Sequence, residues 1–284
     1  VVTYNFSTTE VALERTVDAD VIVLNKVEIN EHSIGKAKKL KLVCVTATGT
    51  NNLDKEYLKS RGIEWRNVAG YSTESVAQHT FAMLFYLWEK LAYYDQYVKS
   101  EKYVGDVMFT HFEKRFHELS GKTWGIIGLG KTGGMIAEAM RFFGAEVLYY
   151  SRTRKAEAEA KGIAYRPLAD LLKEAEIVCT CLPRNNYLLG DPEFALMGDR
   201  KILVNTSVGP TFEIDALKKW LGTCKHSYYL CDATGMGVAR DALKDIPNVL
   251  YTPYISGKSI QSVERLSQKA LANIRTFLSE APQV

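Results

Sequence analysis

The chain has 284 residues, 46% of them apolar and 24% charged, with 36 Lys and Arg against 33 Asp and Glu. Its length predicts about two domains at roughly 150 residues each, and its composition excludes a mostly disordered or collagen-like chain. The net charge of +3 is too small to indicate a nucleic-acid or membrane-surface partner.

In chain order, short β-rich runs alternate with helical patterns, as in parallel βαβ architecture. Strands are predicted at residues 1–4, 21–24, 42–47 and 63–68, separated by helices at 9–19, 30–38 and 55–61. Ser7 stands where it would cap the first helix, and Gly62 where it would end the third. A long helix starts near Thr73 and runs through Phe81, Leu84, Leu87 and Leu91, followed by a looser aromatic segment, 93–119. Next come a strand at 124–127, a helix at 135–143 closed by Gly144, a strand at 147–150, a short helix near 155–161 and a strand at 177–181. A strand at 202–205, a helix around 214–221 and strands at 227–231 and 249–252 continue the alternation. An amphipathic helix, 260–278, ends it.

The longest apolar stretch, 81–88, is far below the roughly 18 residues of a membrane span. No secretory leader pattern opens the chain. The five cysteines are Cys44, Cys179, Cys181, Cys224 and Cys231, four of them in strand-like runs. A Cys-x-Cys without a partner pair is a poor zinc signal. These residues read as buried thiols in a reducing, cytoplasmic setting, with no metal.

The strongest motif is Gly128-Leu-Gly130-Lys131-Thr132-Gly133. It follows a predicted strand, opens a predicted helix and is followed by a second strand, the context that dinucleotide binding requires. Gly128 allows the tight turn, Gly130 lets a pyrophosphate approach the backbone, and Gly133 lets helix and strand pack closely. The helix N-terminus then offers free N–H groups and a partial positive charge. A glycine-rich turn without a ligand is the alternative.

An NAD-selective site needs a carboxylate about 20 residues further on, to hold the ribose 2′-hydroxyl. Tyr150-Ser151-Arg152-Thr153-Arg154-Lys155 stands there with no acid. Its hydroxyls and cations suit a 2′-phosphate, so NADP(H) is expected over NAD(H). Cations at the start of the next helix oppose its dipole, which leaves the cluster mildly unfavourable until an anion arrives.

These residues resemble the D-isomer-specific 2-hydroxyacid dehydrogenases, nearest the glyoxylate/hydroxypyruvate reductase and glycerate dehydrogenase branch. Residues 45–54, around Thr48 and Gly49, are similar to the family's substrate loop. Residues 67–78 resemble its hinge and the nicotinamide-side entry to the long helix, with Val76 on the cofactor. Residues 149–155 match the reductase branch's NADP-type segment, and Asn205-Thr-Ser-Val-Gly209 and Thr252-Pro-Tyr-Ile-Ser-Gly257 match two further signatures.

The resemblance implies an α/β fold of two Rossmann-like domains with parallel sheets, a cleft between them and a chain that crosses twice. Residues 1–70 plus 257–284 would form a flavodoxin-like substrate domain, and 71–256 the dinucleotide-binding domain. The family usually has a further strand and helix before the segment matching 1–4, so the substrate domain is expected to lack its first strand. Also implied are a homodimer through the long helix and the aromatic arm, and cofactor contacts from Pro183, Thr206 and Asp232, the last at the carboxamide.

Family chemistry is hydride transfer between nicotinamide and C2 of a small 2-oxo or 2-hydroxy acid, served by an arginine, a histidine and a glutamate. This sequence has Val208, Tyr254 and Gly237 at those places. Losing His and Glu together is coherent, because a carboxylate left beside a tyrosine would be an unpaired buried charge. Loss of the acid and of the electrostatic clamp slows the family's mechanism by several orders of magnitude.

Tyr254 with Lys258 is a workable proton source for carbonyl reduction, although Tyr254 packed into the histidine's space is the plainer alternative. Arg240 is a candidate for the missing cation. His79, His111 and His117 read as structural or surface residues. Two functions remain open: an NADP(H)-dependent oxidoreductase with a remodelled proton-transfer site, or a catalytically silent NADP(H)-binding sensor or scaffold.

Overall fold

The structure, a computed structural model, describes residues 1–100, 110–111, 113–184, 186–232 and 240–280, residue 240 by its backbone alone. The chain divides into two compact units, Val1–Ser72 with Lys258–Val284, and Thr73–Gly257.

The first unit opens with α1 (Thr9–Arg15), β1 (Val21–Leu24), α2 (Glu31–Ile34), β2 (Leu42–Val45), α3 (Lys55–Ser60) and β3 (Glu64–Asn67). The strands form a parallel sheet in the order β1-β2-β3. Central β2, Leu-Val-Cys-Val, is buried throughout, as an apolar run covered on both faces must be.

Residues 1–4, expected as a strand, pair with none. Val1 and Val2 are exposed, and Tyr4 lies under the Arg15 guanidinium, 4.1 Å from its ring centre. A β-rich run becomes a strand only where a neighbouring edge takes up its backbone groups, and β1 pairs with β2 alone. The first helix is capped by Thr8, which accepts from the Val11 N–H, and not by Ser7, whose hydroxyl accepts from Arg15. Gly62 follows α3 with φ 65°, the left-handed stop that glycine adopts freely.

The second unit starts with α4 (Thr73–Trp88) and α5 (Leu91–Lys99), then β4 (Thr123–Ile127), α6 (Lys131–Phe142), β5 (Glu146–Tyr150), α7 (Ala156–Ala160) and β6 (Ala164–Tyr165). It continues through α8 (Leu168–Glu174), β7 (Ile177–Thr180), α9 (Asp191–Met197), β8 (Ile202–Asn205), α10 (Ile214–Thr223), β9 (Tyr228–Asp232), α11 (Arg240–Leu243) and β10 (Val249–Thr252). Among the described residues its seven strands form one sheet, β10-β9-β8-β7-β4-β5-β6, with every neighbouring pair parallel. The chain enters at β4, builds outward to β6, then returns to β7 on the other side of β4. The strand order therefore reverses between β4 and β7.

One core carries Leu171, Leu203, Phe212 and Trp220; a second carries Trp124, Ile136, Met140 and Leu230. The last helix, α12 (Ile260–Glu280), belongs to the first unit, where Ala270 packs with Cys44 and Val68.

The long helix expected from Thr73 past Leu91 breaks at Lys90, which takes φ 56°, and Leu91 opens a second helix. No glycine or proline marks that break. The helix expected from residue 135 starts earlier, at Lys131, directly after the glycine turn. Among the described residues no helix is long and apolar enough to cross a membrane.

Candidate functional site

Because the larger sheet is parallel, the loops that follow β4, β5, β7, β8, β9 and β10 leave from one edge. Ligands of open α/β sheets bind outside that edge, at the reversal of strand order. Here the reversal brings Gly128 against Cys181.

The three glycines of the turn are required for three different reasons. Gly128 has φ 99°, donates its N–H to the Tyr150 carbonyl at 2.8 Å, and would place a Cβ 2.7 Å from the Cys181 oxygen. Gly133 would place one 2.3 Å from the Gly128 oxygen, so only hydrogen fits between helix and turn. Gly130 differs: its φ of −88° suits any residue, and a Cβ there would meet nothing within 4 Å.

Among the described residues nothing therefore demands glycine at position 130, but a ligand lying against the backbone would. Gly130 is also the N-cap of α6, with no capping side chain and no acid in the first turn. The first N–H groups of α6 are thus available to an anion. The residues present fit a dinucleotide pyrophosphate.

After β5, the turn of Ser151, Arg152, Thr153, Arg154 and Lys155 is mostly exposed, with the Ser151 hydroxyl donating to the Thr153 carbonyl at 2.5 Å. One edge of Arg154 already has an anion within the protein, which the sequence expectation did not include. Its Nε donates to Glu159 Oε1 at 3.1 Å, and its Nη2 donates to Glu159 Oε2. Glu159, in α7, also accepts from the hydroxyl of Tyr149 at 2.7 Å. Arg154 first, then Tyr149, holds the Glu159 carboxyl down at about 2. Among the described residues Arg152 has no ion-pair partner.

Behind the next two loops lies a buried polar network that sequence reading passed over. Asn205 Oδ1 accepts from the Thr180 hydroxyl and the Ser207 N–H, both at 2.9 Å, and Nδ2 donates to the Gly209 carbonyl at 3.0 Å. Ser207 in turn accepts from the Leu182 N–H at 2.8 Å, tying the loop of exposed Pro183 to that of Thr206. The Thr206 hydroxyl donates to the Thr180 carbonyl at 3.0 Å, with Cys181 Sγ 3.2 Å away. The Cys179 and Cys181 sulfurs lie 3.7 Å apart. The signature at residues 205–209 and the polar side chains at the ends of apolar strands were advance signals, but neither showed these groups bonded to one another.

Asp232 is buried at the end of β9, and both of its oxygens serve the turn after β10. Oδ1 accepts from the Thr252 hydroxyl at 2.9 Å and the Ile255 N–H at 3.1 Å, and Oδ2 accepts from the Ser256 N–H at 2.9 Å. Burial pushes its carboxyl up, but hydrogen bonds from Ser256, Thr252 and Ile255 outweigh that and leave it lowered. His79 Nε2 sits 2.8 Å from Thr252 Oγ1, and burial lowers its imidazolium with Asp232 opposing. This turn carries Tyr254, 41% exposed, at φ 61°.

Val208, 39% exposed, lies in the turn after β8, and Val76 is half-buried in α4. Thr48, Gly49 and Lys258 belong to the first unit, where the Thr48 carbonyl accepts from Asn67 Nδ2 at 2.7 Å. Gly237 and the side chain of Arg240 lie outside the described residues.

Comparison with known proteins agrees with this arrangement. The model of the D-isomer specific 2-hydroxyacid dehydrogenase NAD binding domain matches residues 81–256. The glyoxylate reductase of Pyrococcus furiosus is 32% identical, across 94% of this chain and 82% of the relative. A D-lactate dehydrogenase of Aquifex aeolicus, solved with NAD and lactic acid, superposes with a TM-score of 0.77 at 27% identity, covering 94% of this chain and 85% of that one. An acyclic imino acid reductase, solved with NADPH and D-Arg, gives 0.81 at 25% identity, covering 99% and 89%. With its glycine turn, parallel sheet and strand reversal in place, the chain belongs to the D-isomer specific 2-hydroxyacid dehydrogenase family.

Proposed function

We propose that this protein is an NADP(H)-preferring oxidoreductase, transferring hydride between the nicotinamide and C2 of a small 2-oxo or 2-hydroxy acid or a related carbonyl compound. The observation that carries the proposal is the open Gly130 cradle beside a β5 turn that offers Ser151, Arg152, Thr153 and Arg154 and no acid. A glyoxylate reductase and a D-lactate dehydrogenase among its relatives support the substrate class. Bound nicotinamide would supply or accept the hydride.

The chain's own residues divide the remaining work. Gly128 shapes the turn, Gly130, Lys131, Thr132 and Gly133 hold the pyrophosphate by backbone N–H groups, and Val76, Pro183 and Thr206 border the nicotinamide side. Asp232 holds the turn of Tyr254 in place through the three hydrogen bonds above. Backbone N–H groups at Thr48 and Gly49 receive the substrate carboxylate. Tyr254, assisted by Lys258, moves the proton at the substrate oxygen in place of a histidine. Residues 1–70 with 257–284 serve the substrate and 71–256 the nucleotide, in a cytoplasmic homodimer built on the α4 region.

NADPH oxidation with glyoxylate, hydroxypyruvate and a panel of small carbonyl compounds tests this reading, with NADH in parallel. Turnover that Tyr254→Phe abolishes supports it, and turnover untouched by that change removes Tyr254 as the acid. Val208 and Tyr254, standing where the family resemblance places an arginine and a histidine, favour a second reading: a silent NADP(H)-binding protein. Tight NADPH binding with no turnover on any substrate would select it.

A further inference from the structure

We infer that Glu159 is the positioning residue behind the nucleotide preference of this site: it grips one edge of the Arg154 guanidinium and leaves the other edge to the 2′-phosphate of NADP(H). The inference rests on the NADP(H) reading above and concerns a residue that contacts no part of the nucleotide itself.

A guanidinium carries five N–H donors in a rigid plane. Nε and Nη2 of Arg154 go to the two oxygens of Glu159, and among the described residues Nη1 has no acceptor. The arginine is half satisfied and fully oriented. Orientation is what an exposed arginine otherwise lacks: its side chain is long, and fixing it on binding opposes affinity. Here that ordering is complete before any ligand arrives.

Glu159 can act as a fixed post because it is itself held. The Tyr149 hydroxyl donates to it at 2.7 Å, and Tyr149 is fully buried in the sheet. The same hydroxyl accepts from the Lys155 N–H at 2.6 Å, so the end of the turn is anchored on one phenol. Tyr165 lies beneath the Arg154 guanidinium at 5.2 Å and meets the Tyr149 ring edge-on at 5.5 Å. Cation, carboxylate and two aromatic rings form a single assembly that fixes where a phosphate would find its donors. Arginine suits that role because its fork matches phosphate geometry on either edge.

Calorimetric titration with NADPH and NADH, on wild type and on Glu159→Gln, tests the inference, with thermal unfolding recorded alongside. The charge of the post is removed and its shape retained. NADPH affinity should fall about tenfold, the loss of one well-placed charge-assisted contact. NADH affinity should stay within about twofold, and the melting temperature within about 2 °C. Arg154→Lys, which keeps the charge but loses the fork, should show the same selective loss, and Tyr149→Phe a smaller one.

Tighter NADPH binding in Glu159→Gln would overturn the inference, because Glu159 would then be competing with the phosphate. Equal losses for both nucleotides, or no change in either, would overturn it as well, leaving a merely structural ion pair. A wild-type protein with no preference for NADPH would remove the underlying reading too, and that result appears before any substitution is made.

Discussion

At the scale of single residues, the glycine turn separates what the fold requires from what a ligand requires. Alanine at position 133 would press against the Gly128 carbonyl, 2.3 Å away, and that backbone cannot yield without breaking the turn. Gly133→Ala should therefore lower both stability and nucleotide affinity. Alanine at position 130 meets open space in an allowed conformation, so Gly130→Ala should change stability by less than about 1 kcal/mol. It should nevertheless weaken NADPH binding by tenfold or more, because its methyl group occupies the approach to the backbone. Urea denaturation with titration of both variants checks this, and equal behaviour of the two would contradict it.

His79 supports a pH prediction. Its folded form favours the neutral ring, because burial opposes the imidazolium more than Asp232 stabilises it. A depressed histidine contributes stability that is complete above its unfolded value of about 6.5 and declines as pH falls below it. His79→Gln should flatten the loss of stability that begins as pH falls below about 6.5. Depressed carboxylates such as Glu159 add their losses only below about 4.5. Denaturation midpoints across that window, in wild type and variant, give the comparison.

At the scale of elements, side chains that reach beyond their own strand or helix carry much of the order. Lys201, just before β8, donates to the Lys173 carbonyl at 2.8 Å and also to the Ala175 carbonyl, closing the C-terminal end of α8. A cation there satisfies orphan carbonyls and complements the helix dipole. Burial lowers its ammonium, with Glu176 opposing, so the site already disfavours the charge that it uses. Lys201→Met should cost about 1–2 kcal/mol by urea unfolding, with nucleotide affinity unchanged. A loss confined to binding would show that β8 and its loop, rather than α8, depend on it.

The same reach explains what could be read in advance. The glycine turn, the α6 stop at Gly144 and the strands of the larger sheet other than the two-residue β6 were legible, because steric need and apolar patterning act within a few neighbouring residues. Lys90 was not: a left-handed lysine has no local signature, and α4 breaks there with neither glycine nor proline. Glu159 was missed because its partner Tyr149 reads as one more buried strand residue, and only the β5-to-α7 geometry joins them. Residues 1–4 were misread because β propensity indicates willingness to pair and does not supply a partner.

At the scale of the whole molecule, the proposed duties fall on different units. The residues proposed for the nucleotide, among them Gly130, Ser151, Arg152 and Thr206, all lie in Thr73–Gly257, whereas Thr48 and Gly49 lie in the other unit. Ligand bound only to the folded state suppresses opening in proportion to occupancy, by about 2.7 kcal/mol at one hundred times the dissociation constant. NADPH alone should therefore slow amide hydrogen exchange in peptides covering residues 128–134 and 151–155. A small 2-oxo acid analogue added to that complex should extend protection to residues 46–50, where the backbone would meet its carboxylate. Mass-spectrometric exchange reads both steps in one sample. Protection of 46–50 by the analogue without nucleotide would mean that the substrate loop binds independently. No protection there under any condition would move the carboxylate site elsewhere, and with it the proposed role of Thr48 and Gly49.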